Sequence, residues 1–259
     1  MLVRGTPLKW MNLVFSIRQT GVPIGNMLAG GLLPALALAV GWQLAAAISA
    51  LFCLALALAF QPLRARFDDD RDPTQHPFSV GMISAPLRLV FSVPALRRLA
   101  LVSFIYAGMQ VTFSAFLVTY LNHQLGMPLV LAGALLSAGQ AISVGGRIFW
   151  GLVADRLIKP NIVLGGLGFG MSLAAVLTGS FTAAWPFLAI LVVVLSFGMT
   201  AVAWNGVHIA QLARLAPPGR ATEVTAGSSF LTFSGVMAAP AAFSAILAAS
   251  DSYALSFAT

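Results

Sequence analysis

From Gly21 to Phe60 the chain contains no Lys, Arg, Asp or Glu. A run of that length without charge is suited to hydrocarbon and not to a surface facing water. The same economy holds throughout: of 259 residues, 59% are hydrophobic and 8% charged, against about 25% charged in a soluble domain. Such a chain could not cover its own surface in water. Disorder is excluded as well, because it needs the opposite composition. Gly and Pro follow no fixed period, which removes collagen-like arrays. What remains is an all-α membrane protein, since a helix satisfies its own backbone groups in lipid.

About seven spans are expected, each long enough to cross a core of about 30 Å. They run over residues 12–40, 42–60, 99–121, 130–153, 162–181, 185–209 and 222–249, with a short apolar tail at 254–258. A polar linker occupies residues 61–95. It holds Arg64, Arg66, Asp68, Asp69, Asp70, Arg71, Asp72 and His76. Basic neighbours neutralise this run, which reads as a solvated linker and not a metal site. Its later half, Phe78 to Ala95, is apolar and suits the membrane interface.

The net charge of +7 has a topological source. All Lys and Arg except Arg18 fall in or beside the N-terminus, the linker, or the loops after the fourth and sixth spans. The alternate loops carry none. That asymmetry puts the N-terminus in the cytoplasm and removes the argument for nucleic-acid binding. No signal peptide is visible within Met1 to Ile17. Cys53 is alone in an apolar run, and His76, His123 and His208 lie far apart, so neither a metal nor a cofactor is expected.

After the fourth span the sequence reads Gly145-Gly146-Arg147-Ile148-Phe149-Trp150-Gly151-Leu152-Val153-Ala154-Asp155-Arg156, followed by Lys159. This resembles the G-x-x-x-D-R loop signature of the major facilitator superfamily, with Ile158 where the family usually has Gly. The resemblance implies a conformational-switch loop of Arg147, Gly151, Asp155, Arg156 and Lys159. In physical terms Gly151 permits close helix approach, and Asp155 suits a neighbouring helix N-terminus or an Arg such as Arg147. The first span carries Gly21, Pro23, Gly25, Gly30 and Gly31. It is similar to a Gly/Pro-rich packing motif in the family's fifth helix. The order of the two motifs implies a partial chain resembling helices five to eleven plus the start of twelve. On that reading residues 1–60 are the last two helices of an N-terminal half-bundle and residues 61–95 the cytoplasmic linker. Residues 96–259 are then a C-terminal half-bundle whose last helix is truncated.

Polar side chains inside the spans are costly and tend to face a pathway. Tyr106, Gln110, Gln140, Thr200, Trp204 and Asn205 are candidates for it, with Arg18 and Gln19 near the start of the first span. Arg18 has two readings: facing a cavity, where it favours an anionic solute, or snorkelling to the headgroups.

The function these features point to is secondary transport of a small solute by alternating access in a bacterial-type inner membrane. The expected partners are the bilayer, the solute and a coupling proton. A non-transporting membrane fragment is the alternative. A seven-helix receptor binding retinal lacks the mid-span Lys it would need, since Lys9 and Lys159 both lie at loops. A membrane-embedded enzyme lacks HExxH, GxSxG with partners, or paired intramembrane carboxylates.

Overall fold

The computed structural model describes residues 7–64 and 80–258, and every regular element among them is helical. A 3-10 turn, Leu8–Trp10, leads into α1 (Met11–Gln19), followed by α2 (Gly21–Val40) and α3 (Trp42–Arg64). The chain resumes with α4 (Val80–Ser92), in the later half of the linker, followed by α5 (Pro94–His123), α6 (Leu129–Arg156) and α7 (Pro160–Gly179). The chain continues with α8 (Phe187–Ala201), α9 (Asn205–Leu215), α10 (Ala221–Ser250) and α11 (Tyr253–Ala258). Boundary residues follow elementary rules. Pro94 and Pro160 occupy first-turn positions of α5 and α7, where a missing N–H costs nothing. The turn ahead of α6 uses Gly126 at φ +68°, a left-handed conformation that favours glycine.

Six helical segments among the described residues are long and apolar enough to cross a membrane: Trp42–Pro62, Pro94–His123, Leu129–Arg156, Pro160–Gly179, Phe187–Leu215 and Ala221–Ser250. The remaining apolar stretch, α2, has 20 residues without a charged side chain. The first expected span, residues 12–40, is not one rod but breaks at Thr20 between α1 and α2. Pro23 is the physical reason. It has no N–H for the Gln19 carbonyl four residues back, and its ring crowds that carbonyl. The Thr20 amide bonds the Ile17 carbonyl instead at 3.0 Å, and the Thr20 hydroxyl adds a second bond to it at 2.7 Å. The sixth expected span is also interrupted, at Val202–Trp204 between α8 and α9. The acidic run Asp68–Asp72, with Arg66, Arg71 and His76, lies outside the described residues.

The closest pairing is α10 against α5. Small residues make it possible. A Cβ on Gly235 would collide with the Phe104 backbone carbonyl, and one on Gly108 would stand 2.6 Å from the Ala239 Cβ. Where apolar side chains gain little by leaving lipid, such close backbone approach holds helices together. Helix α4 packs on the same partner, with Gly227 of α10 against the Pro86 carbonyl and Val90 fully buried. The apolar half of the linker is therefore a docked helix and not only an interfacial one. Helix α6 pairs with α8, α7 with α8, and α1 with both α6 and α9. Aromatic rings close one end of the bundle: Tyr120 lies 5.0 Å from Tyr253 and 5.3 Å from Phe257, and its hydroxyl bonds the Phe181 carbonyl. Helix α3 stands apart on α2, with Phe52, Leu58 and Phe60 each more than 60% exposed, a surface for lipid.

Replacing Gly235 by Val should destabilise the bundle by about 1–3 kcal/mol or more, because the opposing atom is backbone and cannot rotate away. Gly133→Ala, with nothing within 4 Å of the new methyl, should be neutral or slightly stabilising. Thermal unfolding in detergent distinguishes the two.

Candidate functional site

Two polar constellations are built into this apolar frame, and both use α6. The first grips α1. Arg147, Gly151 and Asp155 are spaced four residues apart and so share one face of α6. Asp155 sits at the N-terminus of α1: its carboxylate accepts from the Leu13 amide at 2.8 Å, the Asn12 amide at 3.2 Å and the Asn12 side-chain amide at 2.7 Å. A carboxylate there satisfies orphan N–H groups and complements the positive end of the helix dipole. Arg214, at the end of α9, adds a nitrogen 3.1 Å from Asp155 Oδ1.

The opposite end of α1 is held by the opposite charge. Arg147 Nη1 donates to the Gln19 carbonyl at 2.7 Å, the acceptor that Pro23 leaves without its helical partner. Between the two charges α1 is squeezed. A Cβ on Gly151 would stand 2.8 Å from Ser16 Oγ, and one on Gly206 of α9 would overlap Ser16 outright. Arg156 lies over the Trp10 ring at 4.1 Å, a cation–π contact just ahead of α1. Lys159 is exposed where α7 begins.

The second constellation surrounds the break between α8 and α9. Val202, Ala203 and Trp204 are all buried, so the carbonyls freed by the break need donors. Trp150 supplies one, its indole N–H donating to the Met199 carbonyl at 3.0 Å. Gln110 Oε1 accepts from Trp204 Nε1 at 3.1 Å and from Asn205 Nδ2 at 3.2 Å. One turn along α5, Ser114 accepts from Gln140 Nε2 at 3.1 Å and donates to the Gln110 carbonyl. Tyr106 meets Trp204 edge-on at 5.6 Å, and its hydroxyl bonds the Leu164 carbonyl. His208 follows, 5.2 Å from Trp204, with Nε2 3.1 Å from the Leu99 carbonyl.

Five of the residues expected along a pathway therefore stand together: Tyr106, Gln110, Gln140, Trp204 and Asn205. Thr200 stands apart from them. Its hydroxyl bonds the Ser196 and Phe197 carbonyls of its own helix, and it packs toward Gly170. Arg18 is exposed, and Gln19 contributes its backbone carbonyl to the grip on α1. Gly21 and Gly25 have nothing within 4 Å of where a side chain would begin, whereas Pro23 is buried. Gly30 and Gly31 lie in α2.

Sequence reasoning missed Asn12, Ser16 and Gly206 altogether, and it saw Arg214 only as a topological charge. The signal for Gly206 was present in Asn205-Gly206, where α9 begins. Also unforeseen is an apolar cavity of about 490 Å³ between α5, α7, α8, α10 and α11, lined by Phe104, Met109, Phe113, Phe243 and Phe257 among others. Among the described residues no group of three or more His, Cys, Asp or Glu could hold a metal ion.

A family model described as Major Facilitator Superfamily matches residues 6–242, and the chain belongs to that family. No curated protein and no solved structure matches it. The match overturns the expectation of a partial chain resembling helices five to eleven plus the start of twelve, because it runs through nearly the whole sequence. The corresponding description of the fold as part of a family bundle is corrected in the same way: the helices described above belong to a polytopic bundle of that family. Membership makes the chain an integral membrane transporter of the secondary, permease type, moving a small solute, and not an enzyme.

Gln110→Leu should cost about 1–3 kcal/mol, because two largely enclosed donors lose their common acceptor. Thr200→Val, which removes only a bond within one helix, should cost less. Thermal unfolding measures both, and the emission of Trp204 should shift in the first variant alone.

Proposed function

We propose that this superfamily member carries its solute by alternating access, with the grip on α1 as the latch of one state. Residues 1–60 and 96–259 act as two bodies joined by the linker at 61–95. The observation that carries the reading is the pair of opposite charges on one face of α6, Asp155 and Arg147, engaging the two ends of α1 from more than 120 residues away in sequence. Contacts of that kind are made or broken as units, because a cap either reaches its amides or does not. A rocking bundle uses such two-state contacts to settle in one conformation or the other.

In this mechanism the solute path runs beside Tyr106, Gln110, Gln140, Trp204 and Asn205, at the break between α8 and α9. Interrupted helices offer backbone and side-chain groups to a solute without exposing them to lipid. Thr200 and Gln19 flank the path. Arg18 meets the headgroups. Arg156 and Lys159 hold the loop after α6 at the cytoplasmic face of a bacterial-type inner membrane, with the N-terminus on that side. The crowding of Lys and Arg into alternate loops supports this orientation. Gly21, Pro23, Gly25, Gly30 and Gly31 let the α1–α2 segment bend as the latch opens.

Asp155→Asn should weaken the latch by about 1–2 kcal/mol, a factor of roughly 5–30 in the ratio of the two states. With Cys53 replaced by Ser, spin labels at Ile17 and Leu215, both exposed, report the separation of α1 from the end of α9. The variant should populate a longer distance that is minor in the parent. An unchanged distance distribution would refute the latch.

A further inference from the structure

Gln110 and Thr112 are two residues apart on α5 and so fall on nearly opposite faces of it. Gln110 turns to the polar node, whereas Thr112 lines the apolar cavity of about 490 Å³. Thr112 is 8% exposed, and its hydroxyl has no hydrogen-bond partner among the described residues. Thr178, Thr200, Thr225 and Thr232 each donate to the carbonyl four residues earlier in their own helix. Thr112 does not take that local bond. An enclosed hydroxyl left unpaired in apolar surroundings is costly, and a guest that offers it a partner recovers the cost.

The rest of the lining decides what that guest is. Phe113 and Phe197 meet at 4.2 Å between ring centroids, and Phe243 and Phe257 meet edge-on at 4.9 Å. All four rings are buried and line the cavity. A resident water needs two to four polar partners, and the Ser256 hydroxyl at the far wall is already donated to the Ser252 carbonyl. The space therefore suits an apolar guest, and the rings favour an aromatic one that can pack against their edges and faces. The volume falls in the range of about 300–1,000 Å³ typical of small-molecule sites. Ile105 of α5, Val176 of α7, and Ala238 and Ala242 of α10 line the cavity and are exposed. Its mouth thus opens sideways, toward hydrocarbon, which admits only an uncharged molecule.

We infer that this cavity is a binding site for an uncharged single-ring aromatic molecule with one hydrogen-bonding group, of the alkylphenol kind, which enters from the bilayer. The guest's oxygen pairs with the Thr112 hydroxyl while its ring packs among the four phenylalanines. A lipid acyl chain would fill the same space but leave Thr112 unpaired and forgo the ring contacts. The site is distinct from the solute path, which uses the opposite face of α5, and does not depend on the transport mechanism.

The experiment is fluorine NMR of 4-(trifluoromethyl)phenol titrated into the full chain in lipid nanodiscs, at mildly acidic pH where the phenol is neutral. Protein-free nanodiscs measure simple partitioning. Trifluoromethylbenzene, which lacks the hydroxyl, and 6,6,6-trifluorohexan-1-ol, which lacks the ring, are separate arms. The phenol should give a saturable, protein-dependent signal, and the aliphatic alcohol should bind at least tenfold more weakly. Thr112→Val, nearly the same shape without the hydroxyl, should weaken the phenol by about two- to tenfold and leave trifluoromethylbenzene unchanged. Ala242→Phe, at the exposed mouth, should block both aromatic probes. Ala238→Phe, one turn earlier and also exposed, gives the same test if the first blocking variant fails to fold. Signals no different from empty nanodiscs, or saturable binding indifferent to the blocking variants, overturn the inference. So does an equal loss of both aromatic probes in Thr112→Val. Aliphatic binding as tight as that of the phenol overturns it as well, and marks the cavity as a groove for lipid chains.

Discussion

A backbone carbonyl that loses its helical N–H inside a bilayer has no water to turn to, and the architecture here is organised around that constraint. The chain breaks a helix twice within its apolar segments, at Thr20 and at Val202–Trp204. Each break is answered by a side-chain donor from the same helix. Arg147 reaches the Gln19 carbonyl, and Trp150, one turn further along α6, reaches the Met199 carbonyl. Helix α6 is thus the member on which both interrupted segments depend. The expected loop signature begins on it and not in the loop.

Glycine supplies the second half of the arrangement. Donors can meet their carbonyls only if the helices stand close, and Gly151 and Gly206 admit Ser16 from two sides where any larger residue would hold α1 off. The charges at the ends of α1 and the glycines at its middle are therefore one device. The charges fix its position along α6, and the glycines fix its distance.

Much of this was legible in the sequence. The scarcity of charge announced a helical membrane bundle, and Gly151, Asp155 and Arg156 marked the place where helices engage. Asp155 was expected at a neighbouring helix N-terminus or beside an Arg such as Arg147. It caps α1, but the arginine was not legible: eight residues along one helix amount to about 12 Å, too far for a pair with Arg147, and Arg214 comes from α9 instead. Nor were the breaks legible as breaks, because hydropathy averages over side chains and does not register a missing N–H. Reading the chain as a late portion of the fold failed for a related reason. A loop signature describes a local geometry and does not number the helix that precedes it. The polar node around Gln110 was readable as a set of residues, since Tyr106, Gln110 and Ser114 fall on one helical face. Its closure by Trp204 and Asn205 required the fold.

The contact between α5 and α10 has a consequence for how the molecule sits in lipid. Each of these helices has 30 residues, about 45 Å of rod at 1.5 Å per residue, against hydrocarbon about 30 Å thick. Such mismatch is met by tilting or by letting the ends project. With Gly235 pressed on the Phe104 carbonyl, neither rod can lean without the other. Bilayer thickness therefore sets the inclination of the pair as a unit, and a thinner membrane would swing Gln110 and its polar neighbours along with it.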